Sequence, residues 1–318
     1  MKASQSAAQA PSWIRRGKRA ALALSLVGAL LAAAFCWNGL SSEWERPDCE
    51  TTSAPPRPLS TGELRVLAYN LAKVELVASK PIRSQQQVRQ HLDQIAALIR
   101  EADPDLVLLS EVVAECTPCP VDQVRYLAEA TGMHAWAFGE QYNFGLPVFR
   151  IRGGNAVLSR LPLRPMANQQ LVGGASFVWP ANNRRALWCE VKVRDSWLRV
   201  ASIHTDSFDR DNNARQARQL LRFVGEAPAL VGGDFNAQPE SESLRLFEQS
   251  GLFTPLVSGP PTFPAGEPTR RIDHVLGPRV WSLDTHEVIS TTLSDHRPVL
   301  SVFRLPPDVP AERPAKSD

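Results

Sequence analysis

Six short segments of the chain place polar residues where an apolar, strand-like run ends, and the residue types suit hydrolysis of a phosphate ester. Carboxylates and an asparagine could hold a hard divalent cation, and histidines could move protons or contact a phosphate. Strand ends are a usual place for a sheet to present chemistry. The candidates in these segments are Asn70, Glu111, His204, Asp234, Asn236, Asp273, Asp295 and His296.

The sharpest local signal is the segment GGDFN at residues 232–236. Two glycines directly after a short strand let the backbone turn tightly and approach a substrate closely. Asp234 could polarise a nucleophilic water, and Asn236 could donate a hydrogen bond to a developing phosphorane oxygen. Taken alone, the segment also fits an Asx turn without any chemistry.

Two further segments combine carboxylates with histidines. Asp295 and His296 are adjacent before a final strand, which suits a metal ligand beside a general base or a phosphate-binding histidine, although a polar turn would look the same. Asp273 lies within an apolar strand and would need a partner there, and orienting a histidine is a standard solution. His274 points to the opposite face and is expected to be structural.

Other polar positions carry weaker signals. Glu111 ends the apolar strand DLVLLS, and its oxygen atoms would favour Mg²⁺ or Mn²⁺ over zinc. Asn70 and His204 end two other strand-like runs, and either could be a cap or a turn residue. Asn155 follows two glycines and could touch a phosphate oxygen.

Hydrophobic periodicity predicts the framework that positions these residues. Strands mixed with helices, and a hairpin turn at residues 195–196, indicate mixed rather than purely parallel sheets. The predicted strands are 64–69, 105–110, 156–159, 186–193, 197–203, 230–232, 272–276 and 299–303. The predicted helices are 84–101, 121–131, 212–224 and 240–249.

Length and charge narrow the class of protein. With 318 residues, of which 43% are hydrophobic, the chain can build one large core. Seven of the 35 basic and four of the 33 acidic residues precede Ser60, which leaves 28 basic and 29 acidic residues and a net charge of about −1 beyond it. This balance disfavours a strongly basic nucleic-acid binder. A local groove remains open, and its candidates are Arg150, Arg152, Arg160, Arg184 and Arg185.

The N-terminal segment differs from the rest of the chain. A basic arm at 1–19 precedes an uncharged, apolar run at 20–40, which is long enough to span a bilayer with its basic flank in the cytoplasm. The expectation is a retained single-pass anchor, with a cleaved signal segment or a buried core helix as alternatives. A linker at 41–62, a domain at 63–305 outside the cytoplasm (periplasmic or extracellular) and a disordered tail at 306–318 should follow.

Cysteine spacing adds one expectation. Cys116 and Cys119 form a C-x-x-C pair, which outside the cytoplasm favours a local disulfide over a zinc site, because no second such pair is present. Cys189 sits in a strand pattern and is expected to be a buried thiol. Cys49 lies in the linker and could pair with another cysteine.

In order, the segments YN, SE, GNAVLSR, IHT, GGDFN, RIDH and SDHRP resemble the endonuclease/exonuclease/phosphatase superfamily, whose fold is DNase I-like. The resemblance covers residues 64–303. It implies an α/β (α+β) fold, a four-layer αββα sandwich of two mixed sheets, which here would be preceded by the N-terminal hydrophobic helix.

The resemblance also implies a metal site. Asn70 and Glu111 look like its ligand pair, with Asp295 nearby, for Mg²⁺ or possibly Mn²⁺. Asn155 looks like a secondary contact to the phosphate. Family nucleases often carry another acid shortly after the first asparagine, whereas this chain has Leu-Ala-Lys at 71–73, so a second metal on that side is not expected.

The catalytic residues follow from the same resemblance. Asp234 looks like the residue that positions or activates the attacking water, and Asn236 and His204 look like stabilisers of the phosphate and transition state. His296, oriented by Asp273, looks like the general base or the donor to a phosphate oxygen. The metal and these donors would together supply most of the catalysis.

The sequence leaves the substrate open. The resemblance implies a phosphodiesterase, and the apolar N-terminal run and the neutral charge slightly favour a phospholipid, as in sphingomyelinase-like members, or a small phosphoester. DNA or RNA, as for secreted nucleases, and inositol phosphates are alternatives. A non-catalytic binding module is the alternative from a different class. All the candidate catalytic residues are present, which argues against it. No protein partner is indicated.

Overall fold

The computed structural model describes residues 12–40, 45–59, 62–75, 83–146, 149–173 and 183–307. Within those ranges the chain forms twelve β-strands and five α-helices. The strands are β1 Asp48–Thr51, β2 Glu63–Asn70, β3 Leu106–Cys116, β4 Ala135–Leu146, β5 Phe149–Ser159, β6 Leu163–Gln170, β7 Arg185–Val193, β8 Ser196–His204, β9 Ala229–Asp234, β10 Asp273–Leu276, β11 Ser282–Val288 and β12 Val299–Arg304. The helices are α1 Ser12–Leu40, α2 Gln85–Ala102, α3 Gln123–Ala130, α4 Arg210–Val224 and α5 Glu242–Gln249.

Helices α2, α3 and α4 each begin where a side chain can accept hydrogen bonds from the first free backbone amides. Ser84 accepts from the Gln87 amide before α2, and the Gln87 side chain returns a bond to the Ser84 amide. Asp122 and Asp209 cap α3 and α4 in the same way. Ser84, the first residue of the predicted helix 84–101, is therefore the N-cap of α2.

The strands form two mixed sheets. The seven-stranded sheet has the order β1-β4-β5-β3-β2-β12-β11, and the five-stranded sheet has the order β10-β9-β8-β7-β6. Each sheet contains one parallel pair, β2 with β3 in the larger sheet and β8 with β9 in the smaller one. All other neighbours within the two sheets are antiparallel.

Three apolar clusters show that the molecule has four layers. The central cluster joins residues of both sheets, such as Val66 with Val200. A second cluster packs α2 and α3 onto the outer face of the larger sheet, and a third packs α4 and α5 onto the smaller sheet. The four-layer αββα sandwich of two mixed sheets is thus confirmed, and it is DNase I-like in its layering.

The parallel pairs bring most of the predicted site residues to one edge of the sandwich. In the smaller sheet, His204 pairs with Asp234, and Asp234 pairs with Asp273, so three predicted residues form one row across three strands. In the larger sheet, Asn70 pairs with Ser110, directly before Glu111. Because both parallel pairs end at this edge, the sequence-distant groups converge there.

The ends of the chain lie partly outside the described residues. This applies to residues 1–11 of the expected basic arm and 308–318 of the expected tail. Helix α1 carries one apolar stretch, Arg16–Phe35, long enough to cross a membrane, and its described leucines are exposed. Residues 48–51, inside the expected linker, form the edge strand β1 against β4.

The expected disulfide between Cys116 and Cys119 is not formed. All four cysteines whose side chains the structure describes are free thiols. Cys116 and Cys119 pack into the apolar cluster beneath α2 and α3, where burial raises the pKa of both thiols. Cys189 is buried, as predicted, and Cys49 packs at the edge of the central cluster.

Candidate active site

The site is centred on one oxygen atom of Asp234, whose side chain is buried at the end of β9. Asn70 donates its side-chain amide to Asp234 Oδ2 over 3.0 Å. The Nε2 atoms of His204 and His296 lie 3.5 Å and 3.8 Å from the same oxygen. Three residues, from β2, β8 and the loop before β12, therefore surround a single carboxylate oxygen of β9.

The other oxygen of Asp234 stabilises the local backbone. Its Oδ1 accepts the amide of Asn236 over 2.9 Å, which is an Asx turn. Asn236 itself has a positive φ of 47° and donates its side-chain amide to the Thr205 carbonyl over 3.0 Å. The turn and the chemistry are thus not alternatives, because the turn uses one oxygen and leaves the other facing the site.

His296 is held by a buried carboxylate. Its Nδ1 lies 2.8 Å from Asp273 Oδ2, and the same oxygen accepts the Thr262 hydroxyl over 2.6 Å. Burial lowers the pKa of His296, but the Asp273 carboxylate raises it by more, and the net result is a pKa of about 9. His296 is therefore an imidazolium at neutral pH in this arrangement, with its Nε2 side turned toward Asp234.

At the neighbouring groups, His204 and Asp234, burial determines the direction of the pKa shift. The pKa of His204 is lowered well below its usual value, first by burial and then by the Arg184 guanidinium. Burial also raises the pKa of Asp234, and the Asp273 carboxylate raises it further. The site thus combines a neutral histidine, a charged histidine and a carboxylate that takes up a proton more readily than usual.

Glu111 is presented by a distorted strand. Its φ is 52°, and the ladder between β3 and β5 shifts register between Leu109 and Val112 around it. Such bulges re-aim a side chain at functional edges of sheets. The Glu111 carboxylate forms an ion pair with the Lys73 ammonium, and this neighbour keeps the pKa of Glu111 low although burial would raise it.

The remaining predicted residues, Asp295 and Asn155, form no hydrogen bond or ion pair with Asp234. Asp295 is exposed at the rim, and Ser294 beside it donates to the Asn70 carbonyl over 2.6 Å. Asn155 has no exposed surface, and its amide donates across the sandwich to the carbonyls of Arg185 and Ser202. In this structure Asn155 connects the two sheets and presents no surface to a substrate.

Residues that could hold a metal fall into two sets. The atoms of Asp234, Asp273 and His296 lie within 4.8 Å of one another and could bind one. In that group His296 and Asp273 are already hydrogen-bonded to each other. Glu111 and Asn70, the ligand pair expected from the resemblance, are the second set. The Glu111 carboxylate already holds the ammonium of Lys73, and Asn70 Oδ1 accepts the Ala72 amide over 3.0 Å.

Sequence reasoning missed some of these contacts. It noted Lys73 only as a departure from the family and Arg184 only as part of a basic groove, whereas the structure places the first on Glu111 and the second on His204. It did not single out Thr262, which lies in a proline-rich loop and carries no motif. It expected His274 to be structural, and the structure places this side chain in the interior, where its Nε2 lies 2.9 Å from the Ala237 carbonyl.

Comparisons with known proteins identify the family and agree with the fold. The model of the Endonuclease/Exonuclease/phosphatase family matches residues 67–296, from β2 to His296. No curated protein matches the chain in sequence. Among solved structures, an endonuclease/exonuclease/phosphatase from Beutenbergia cavernae is 22% identical with a TM-score of 0.57, over 76% of this chain and 72% of its own.

Two other similar structures have more specific descriptions. A mannosyl-6-phosphatase from Bacteroides thetaiotaomicron is 17% identical with a TM-score of 0.54, over 76% of this chain and 99% of its own. Sphingomyelinase C from Streptomyces griseocarneus is 18% identical with a TM-score of 0.52, over the same shares of the two chains. At these identities the likeness establishes a common fold.

Proposed function

The chain belongs to the endonuclease/exonuclease/phosphatase family, whose members hydrolyse phosphate ester bonds, and on that premise we propose a more specific role. The protein is a Mg²⁺-dependent hydrolase of small phosphate esters, including the headgroup esters of phospholipids, and it acts outside the cytoplasm. The observation that carries this proposal is the surrounding of Asp234 Oδ2 by Asn70, His204 and His296 within 3.0–3.8 Å.

Asp234 takes the proton of the attacking water in this proposal. A general base works best when its pKa lies near the operating pH, and burial moves the pKa of Asp234 upward in that direction. Asn70 holds the carboxylate in place through its amide. Asn236, at the end of the same turn, is assigned the role of stabilising the developing charge on the phosphate.

His296 acts as a donor. Its raised pKa of about 9 makes it an imidazolium at neutral pH, so it can donate from Nε2 to a phosphate oxygen. Asp273 fixes the ring by accepting from Nδ1, and Thr262 fixes Asp273. His204, which is neutral, lines the phosphate position beside Asp234 in this proposal.

The oxygen donors of Glu111 and Asn70, with Asp295 at the rim, fit a hard divalent cation. The ammonium of Lys73 already occupies the Glu111 carboxylate, which shows that this position is electrostatically suited to positive charge. When bound, Mg²⁺ would neutralise charge on the phosphate and polarise its P–O bonds. Lys73, whose side chain is about one-third exposed, can swing toward solvent to make room.

The arginines argue for a small ester rather than a long nucleic acid. A nucleic-acid groove requires a row of free cations. Four of the five candidate arginines are held elsewhere, three by carboxylates and one by a backbone carbonyl. They are Arg150, Arg152, Arg160 and Arg185. Of the five, only Arg184 lies against the site residues.

The location outside the cytoplasm rests on α1. The leucines along its apolar stretch are exposed, as expected of a helix that lies in lipid. Lys/Arg residues on its N-terminal side favour that side for the cytoplasm. The domain would then stand on the outer face of the membrane.

The test uses the full-length protein in detergent with MgCl₂. Hydrolysis is measured on p-nitrophenyl phosphate, bis-p-nitrophenyl phosphate, vesicles of phosphatidylcholine and sphingomyelin, and plasmid DNA. Asp234→Asn should lower kcat/KM by about 10²–10⁴-fold, which is the typical contribution of a positioned base. Asp195→Asn, an exposed carboxylate in the β7–β8 turn, is the matched control and should leave the rate unchanged.

The set of substrates that is cleaved distinguishes the proposed function from its alternatives. Turnover of the small esters or of the vesicles, lost in Asp234→Asn, supports the proposal. Nicking of DNA without turnover of the other substrates would make the protein a nuclease. A folded protein that cleaves none of the four would overturn the proposed activity, and release of phosphate from inositol phosphates would then be the next assay.

A further inference from the structure

Arg184 lies inside the site although it belongs to none of the motifs that identify the family. It immediately precedes β7, and its Nη1 atom is 2.7 Å from Nε2 and 3.0 Å from Nδ1 of His204. Its Nη2 atom donates to the Ser207 hydroxyl over 3.0 Å. The guanidinium therefore bridges a buried histidine and an exposed serine at the mouth of the site.

This cation lacks the partner that such a group normally has. Its Nε is buried without a hydrogen-bond acceptor, and no carboxylate of the described residues lies within ion-pair distance of it. By contrast, Arg152 and Arg160 are paired with carboxylates. A guanidinium stays protonated even when partly desolvated, and an unpaired charge there costs free energy.

We propose that Arg184 binds a non-bridging oxygen of the substrate phosphate and is a specificity-determining residue for the phosphate group. The inference rests on the proposed phosphoesterase function. A guanidinium presents two parallel N–H groups that match two phosphate oxygens, whereas an ammonium is a point charge. Arg184 also contacts both ring nitrogens of His204, so the two side chains form one anion-binding unit on the β7–β8 side of the site.

A phosphate-binding role for Arg184 fits the positions of the two cations in the site. The Lys73 ammonium lies on Glu111, and the Arg184 guanidinium lies on His204. Both cations are near enough to Glu111 to lower its pKa. A phosphate placed beside Asp234 would therefore meet positive charge from more than one direction, which offsets the repulsion between the phosphate and the site carboxylates.

The experiment measures competitive inhibition by inorganic phosphate and direct calorimetric binding of phosphate to the full-length protein in detergent with MgCl₂. Arg184→Met should raise the inhibition constant and the dissociation constant about 10- to 100-fold, the fold-change that corresponds to one charge-assisted hydrogen-bonded contact. Arg184→Lys should restore part of this loss. Arg304→Met, an exposed arginine at the far end of β12, is the matched control.

Phosphate affinity and kcat respond differently depending on whether Arg184 binds phosphate or only positions His204. Phosphate binding can also be measured when no ester is hydrolysed. If Arg184→Met lowers kcat but leaves phosphate binding unchanged, the residue only positions His204 and the inference fails. If the wild-type protein binds phosphate and Arg184→Met does not, the inference holds even when no ester is turned over. If Arg184→Met does not fold, Arg184→Lys supplies the same comparison, and equal phosphate affinity to the wild type would overturn the inference.

Discussion

Lys73 and the proposed metal compete for the same carboxylate, Glu111. Replacing Lys73 by Met removes the competing charge, so the affinity for Mg²⁺ should rise about threefold, since partly exposed ion pairs contribute less than about 1 kcal/mol. The affinity is measured by a thermal-shift titration with MgCl₂. Lys192→Met, an exposed lysine on β7, is the control. Unchanged or weaker Mg²⁺ affinity in Lys73→Met would place the metal elsewhere.

The Thr262 hydroxyl affects catalysis indirectly, through Asp273 and His296. It donates to Asp273, which holds His296. Thr262→Val keeps the shape but removes this donor, and kcat should fall about tenfold with a loss of about 1–2 kcal/mol in stability. Activity and urea unfolding are measured together, and Asp273→Asn should show the same kinetic defect.

Thr254→Val supplies the control for that comparison. Thr254 is also buried, and its hydroxyl accepts the Gly277 amide over 3.3 Å, away from the site. A similar loss of stability is expected there, without a change in kcat. Equal activity losses in the two variants would mean that Thr262 acts only through stability.

The residue types of the site could be predicted from the sequence, but several contacts could not. Asp234, Asp273 and His204 follow from strand-end patterns, because the sheet register aligns them in one row. The ion pair of Lys73 with Glu111 depends on a local backbone with positive φ at both residues. No periodicity encodes such a conformation, so it became evident only in three dimensions.

At the scale of elements, eight of the twelve described strands were predictable from their apolar runs and four were not. Central strands are buried on both faces and read as continuous apolar runs. The missed edge strands β1, β6 and β11 are partly exposed, and β6 also contains Pro165. Strand β4 lies between β1 and β5 and is largely buried, but its apolar run is broken by Gly-Glu-Gln at 139–141, where the ladder to β5 shifts register. The β7–β8 turn lies at 194–195, one residue before the predicted position, because Arg194 takes the left-handed conformation.

Strand β9 carries the site because two glycines allow close packing behind Asp234. Gly233 has a φ of 134°, and a Cβ there would lie 2.2 Å from the Ile203 carbonyl oxygen. Gly233→Ala should destabilise the protein by at least about 2 kcal/mol and displace Asp234. Gly266→Ala, where a Cβ meets open space, is the control and should unfold like the wild type in urea. Equal stability of the two variants would contradict this packing.

At the scale of the whole molecule, the layers bury a histidine that makes folding depend on pH. His274 on β10 packs edge-on against Phe235 with its Nδ1 buried and unpartnered, and burial lowers its pKa to about 4. In the unfolded chain the pKa of histidine is about 6.5. The unfolded state therefore binds the proton more readily, so stability is complete above about pH 6.5 and is lost as the pH falls toward 4.

This linkage gives a measurable slope. Between pH 7 and pH 5 the His274 contribution should amount to about 2 kcal/mol of lost stability, seen as a lower urea midpoint. His274→Leu should be less stable at pH 7, because the Ala237 carbonyl loses its partner, but it should lose about 2 kcal/mol less between the two pH values. His286 and His204 also have lowered pKa values, and they act equally in both proteins. The difference between the two slopes therefore isolates His274, and parallel slopes would show that it is not buried in the neutral form.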